Sequence, residues 1–123
     1  MPAMTKPLLR RGDAANELRR DLGDYVRGLR EAQGMTQADL AKAVGIEYYT
    51  AISAIEVGRN SLPPERTLAF AEALGVQPKV FGREVLRLTN PWLYALLYSA
   101  DPKGETKSLN ARFDTRLGQR MNS

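Results

Sequence analysis

Cysteine and histidine are both missing from the 123 residues. The first absence excludes disulfides and thiol nucleophiles. The two together exclude the zinc sites that thiolates and imidazoles build, and the general-base schemes that need an imidazole. The carboxylates that remain show no metal-binding pattern, so no catalytic residue, metal or cofactor is expected, and the chain is not expected to be an enzyme. Long apolar runs are missing as well. The longest, Trp92 to Tyr98, falls far short of the ~20 residues that cross a bilayer, and no membrane association is expected. Lys6, Arg10 and Arg11 are not followed by an apolar stretch, so no secretory signal is expected. A cytoplasmic location is expected, and a chain without cysteine suits it. No segment alternates with the period of a strand, and no internal repeat occurs.

What is present suits one domain with tails. Hydrophobic residues make up 43% of the chain, enough for a compact core. The net charge of +4 is unevenly spread. Residues 1–21 hold five Lys/Arg against three Asp/Glu, residues 22–75 five against seven, and residues 76–123 eight against four. The flanks are basic and the centre is mildly acidic. A basic balance favours nucleic acid or another polyanion as partner.

The apolar spacing is helical throughout, and the fold class expected is all-α. Residues 1–12, with Pro2, Pro7 and Gly12, read as a flexible arm. From about Ala14 to Gln33, Leu18, Leu22, Tyr25, Leu29 and Ala32 recur at spacings of four and three, and Gly34 stops that helix. Thr36 and Asp39 then form a capping signature before Leu40, Ala41 and Val44. Gly45 ends this second helix. A third runs from about Tyr48 to Val57, a fourth from Pro64 to Leu74, and a fifth from Pro78 to about Leu88. Asn90-Pro91 breaks the chain, and Trp92 to Ser99 reads as one further short helix. Asp101-Pro102-Lys103-Gly104 reads as a linker. Within the basic tail 100–123, a helix is expected from 108, where Leu109, Phe113, Leu117 and Met121 recur every four residues.

Several of these segments together resemble the Cro/cI-type, or XRE-like, helix-turn-helix regulators. The resemblance runs from Leu22 to about Phe81. It is carried by LGDYVRGLREAQGMTQADLAKAVGI, then AISAIEVGRN, then LAFAEALGV. It implies a five-helix repressor-like domain over residues 13–90, followed by a short extra helix over 91–99 and flexible tails. It also implies that the third helix enters the major groove of double-stranded DNA, with Tyr49, Thr50 and Ala54 reading bases and Tyr48 a further candidate. Gln37 would clamp a phosphate at the start of the second helix, joined by Arg59, Asn60 and Ser61 after the third. Arg30 and Glu56 would form a structural ion pair. Independently of the resemblance, Ile52 and Ile55 stand three apart, as a buried face against Leu40, Ala41 and Val44 requires.

One feature departs from the family. Gly45 and Ser53 stand eight positions apart, one more than in the usual pattern. An extra residue inside the helix would turn every later side chain by about 100°. Because Ile52 and Ile55 still suit a core, the extra residue is expected before the helix, around Glu47-Tyr48, with Tyr48 packed over the lengthened turn.

The expected function is that of a sequence-specific DNA-binding transcriptional regulator, acting as a homodimer on an inverted repeat. Trp92, Leu93, Leu96 and Leu97 are the candidate dimer residues. The alternative is an antitoxin-type member of the same fold, in which residues 100–123 bind a partner protein.

Overall fold

The computed structural model describes residues 11–113. Nearly all of the expected N-terminal arm, and the tail beyond Phe113 with Arg116, Leu117, Arg120 and Met121, lie outside the described residues. Among the described residues there are seven α-helices and no strand. They are α1 (Arg11–Ala32), α2 (Gln37–Ala43), α3 (Tyr49–Glu56), α4 (Thr67–Leu74), α5 (Pro78–Thr89), α6 (Pro91–Tyr98) and α7 (Pro102–Phe113). A 3-10 turn at Pro64–Arg66 precedes α4. The fourth helix therefore begins its α geometry three residues later than expected. Proline has no N–H to donate and its φ is fixed, so it opens a tight first turn readily; Thr67 Oγ1 donates to Pro64 O at 2.8 Å.

The core is one cluster in which α1 to α5 meet. Leu22 and Val26 come from α1, Leu40, Ala41 and Val44 from α2 and its end, and Ile52 and Ile55 from α3. Phe70, Ala71 and Leu74 come from α4, and Phe81 from α5. On α1 the deepest residues are Leu22 and Val26, whereas Ala32 is exposed. The capping box on α2 is complete: Asp39 N donates to Thr36 Oγ1 at 3.0 Å, and Thr36 N donates to Asp39 Oδ2 at 2.9 Å. At its other end, Arg66 Nη1 donates to Val44 O at 2.8 Å.

The C-terminal part corrects the expectation of a linker and tail from residue 100. The helix starts at Pro102, not at 108. Asp101 Oδ1 accepts from Gly104 N at 3.2 Å, and Pro102 takes the first helical position, where a proline costs nothing. An Asp-Pro pair signals a turn and a helix start equally well, and here it starts a helix. α7 folds back on α6. Trp92 Nε1 donates to Asn110 Oδ1 at 2.9 Å, and the Trp92 and Phe113 rings lie 5.4 Å apart. Arg112 Nη2 then reaches Glu17 Oε1 on α1 at 3.0 Å. Trp92 is thus half-buried and engaged within its own chain. Leu93, Leu96 and Leu97 remain exposed, with Tyr98 beside them.

Candidate nucleic-acid interface

α3 is held at a fixed angle by α1 and α2. The closest approach is at Gly23, in the middle of α1. A β-carbon there would lie 2.4 Å from Glu56 O and 2.5 Å from Ile55 O, so only glycine lets the two backbones come this near. One turn earlier, Arg19 Nε donates to Gly58 O at 3.0 Å, just past the end of α3. Gly58 has φ +81°, and a β-carbon there would meet Arg20 Cγ at 2.6 Å and Arg20 N at 2.9 Å. Both the left-handed backbone and the crowding call for glycine at this stop.

A polar network ties the same helices from the other side. Arg30 Nε donates to Glu56 Oε2 at 2.6 Å, and Arg30 Nη2 donates to Glu56 Oε1 at 3.0 Å. The remaining Arg30 nitrogen, Nη1, donates to Met35 O at 2.7 Å. Glu56 is 5% exposed, the one buried charged residue among those described. Its hydrogen bond to Arg30 holds the guanidinium still more firmly protonated than usual. Gln37, the first residue of α2, joins the network: its Nε2 donates to Glu56 Oε1 at 3.0 Å. An amide nitrogen carries two N–H groups, so a second donor is left for an outside acceptor.

With its back locked, α3 presents its leading end outward. Tyr48 is 66% and Tyr49 55% exposed, and Thr50 is exposed beside them. α3 begins at Tyr49, so Glu47 and Tyr48 lie in the turn and not in the helix. Tyr48 has extended backbone and makes no side-chain cap. Its exposure corrects the expectation that it packs over the turn; the side chains of this region that reach the core are Val44 and, in part, Ile46.

Ala54 is a second correction. It was expected to face outward as a base reader, but it is 6% exposed. The chain that follows returns to the same residue. Arg59 N and Asn60 N both donate to Ala54 O, at 2.8 and 3.1 Å, and draw the return loop against this part of α3. Those bonds fix the backbone from which Arg59, Asn60 and Ser61 project, and all three side chains are exposed. The structure therefore brings Arg30, Glu56 and Gln37 together in one network, leaves Tyr48, Tyr49, Thr50, Arg59, Asn60 and Ser61 open, and closes off Ala54.

Sequence reasoning missed Gly23, Arg19 and Arg66. A glycine inside a helix costs about 1 kcal/mol against alanine, so Gly23 was a signal of close packing in its own right. Nothing in the sequence marks Arg19 or Arg66 as helix-end donors.

Among the described residues no cluster of acidic side chains is arranged to hold a metal ion. No helix there is long and apolar enough to cross a membrane. A family model described as a helix-turn-helix domain matches residues 21–81, from the middle of α1 to the first turn of α5. No curated protein matches the chain. The matched segment contains the capped α2, the turn at Gly45, the locked α3 and the core that supports them, and by that match residues 21–81 are a helix-turn-helix domain of the Cro/cI-type, XRE-like group.

Proposed function

We propose that this chain is a sequence-specific transcriptional regulator that places the N-terminal end of α3 in the major groove of double-stranded DNA. The observation that carries the reading is the contrast across α3. Its inner side is fixed by Gly23, Gly58 and the Arg30–Glu56–Gln37 network, while Tyr49 and Thr50 stand free at its leading end. A groove about 12 Å wide accepts one helix end, and the side chains there meet base edges. Gln37, Arg59, Asn60 and Ser61 flank that end and are suited to phosphate oxygens. A regulator of this kind acts where the DNA is, in the cytoplasm of a bacterial or phage-infected cell.

One such module touches few base pairs, and a homodimer on an inverted repeat supplies the rest. The exposed Leu93, Leu96 and Leu97 of α6 are the residues assigned to that contact. The second reading is a protein-binding, antitoxin-type member of the fold. The return of α7 onto α6 and α1 bears on it: residues 102–113 are already engaged within the chain, so a partner would take the α6 face or residues beyond 113.

The test compares Thr50→Ala with Gln37→Ala. Loss of a base contact is expected to cost about 1–3 kcal/mol at the preferred site and to relax preference at one position. Loss of a phosphate contact is expected to weaken binding to all sequences by similar factors. A changed preference with Gln37→Ala and none with Thr50→Ala would show the assignment to be wrong.

A further inference from the structure

The outward side chains of α3 are unusual in what they leave out. At about 100° per residue, Tyr49, Thr50, Ser53 and Val57 fall on one side of the helix. Tyr49, Thr50 and Val57 are exposed and Ser53 is partly so. None of them carries an amide or a guanidinium. Glu56 is the one charged residue of α3, and it points inward to Arg30 and Gln37. Guanine is read best by the two donors of Arg or Lys on O6 and N7, and adenine by the amide of Asn or Gln on N6 and N7. Neither fork exists on this helix. Gln37 stands on α2, not α3, with one of the two N–H groups of its amide bonded to Glu56. Arg59 lies beyond the far end of α3, in the loop anchored to Ala54 O.

What the leading end does offer is carbon and hydroxyl: two tyrosine rings and the methyl group of Thr50. Hydroxyls donate and accept, so they discriminate poorly between base edges. The carbon surface has a single complement in the major groove, the C5-methyl of thymine. We propose that α3 reads DNA through the C5 position of pyrimidines, with the Tyr49 ring and the Thr50 methyl covering thymine methyl groups. This rests on α3 being the DNA-reading helix, and it names the chemistry by which that helix would choose its site.

The test uses the full chain and a preferred duplex obtained by selection from random double-stranded DNA. Each thymine is replaced in turn by uracil, which removes the methyl and nothing else. The expected result is a loss of about fourfold at one or more thymines, the worth of one buried carbon group. Tyr49→Ala or Thr50→Ala should abolish the uracil penalty at the thymine that each covers, and Tyr49→Phe should keep it. Both side chains are exposed, so these variants leave the core intact. A preferred duplex whose affinity ignores every uracil substitution overturns the proposal and leaves the DNA reading standing. A uracil penalty unchanged in both alanine variants also overturns it. Failure to enrich any sequence overturns the DNA reading and this proposal with it.

Discussion

Gln37 Nε2 and Arg30 Nη2 donate to the same oxygen, Glu56 Oε1, each at 3.0 Å. A carboxylate at the end of α3 thereby joins the first residue of α2 to the last turn of α1. Charge buried in this way is expensive to strand. Removing one partner of a buried pair typically costs about 3–5 kcal/mol, whereas replacing both with apolar groups is often close to neutral. Glu56→Ala is expected to lose stability in that range on urea unfolding, and the double variant Arg30→Met, Glu56→Leu to recover most of it. A loss under about 1 kcal/mol for Glu56→Ala would mean that the network does not hold the helices.

Two glycines on one helix should respond in opposite directions to the same change. Gly23→Ala places a methyl group 2.4 Å from Glu56 O, where backbone must move. Overpacking of this kind costs about 1–3 kcal/mol. Around Gly28 nothing lies within 4 Å of the new carbon, so Gly28→Ala should stabilise the helix by roughly 0.5–1 kcal/mol. Thermal unfolding of the two variants checks the pair. Equal effects would contradict the close crossing of α1 and α3.

Local patterns made much of this fold legible. The Thr36–Asp39 box needs only four residues in a row, and Ile52 with Ile55 needs one helical turn. Long-range relations were less so. Ala54 has the right angular position to face outward, yet it is buried, and the returning loop after Gly58 donates hydrogen bonds to its carbonyl oxygen. Gly23 looks like a weak point in a helix until Glu56, far along the chain, is seen against it. The Asp101-Pro102 pair was ambiguous because turns and helix starts use the same residues. The contact of Trp92 with Phe113 was not legible because Phe113 belongs to a segment whose pattern reads as tail. The Arg30–Glu56 pair was suggested by family resemblance, not by any local pattern.

Stability should be flat across neutral pH and fall on either side. The chain has no histidine, so no side chain with an ordinary pKa near neutrality is present. The Thr36 amide, and then its hydroxyl, hold the Asp39 carboxyl below its usual range, and the Arg87 guanidinium does the same for Glu84. A lowered folded-state pKa stabilises above the unfolded value, about 4, and that contribution is lost as pH falls through the folded value. Burial pushes the Tyr25 hydroxyl up, so its contribution is present below about 10 and lost as pH rises further. Unfolding midpoints between pH 3 and pH 11 check this. A step near pH 6.5 would contradict it.

The charge pattern predicts where salt sensitivity arises. Residues 22–75 carry an excess of two acidic groups, so part of the phosphate neutralisation must come from the flanks. Arg116 and Arg120 stand in residues 114–123. Removing those residues should flatten the slope of log affinity against log salt by about 0.9 for each phosphate they neutralise, with the preferred sequence unchanged. An unchanged slope together with a changed oligomeric mass would make the segment an assembly element.

Selection of bound sequences from random duplex DNA tests the central claim most directly. The purified full chain should enrich an inverted repeat, with half-site centres about 34 Å apart, one helical turn, or a multiple of it. Replacing Thr50 by alanine should relax the preference at one position of each half-site. Recovery of no common sequence, or of a single unpaired half-site, would contradict a dimeric regulator that reads DNA through α3.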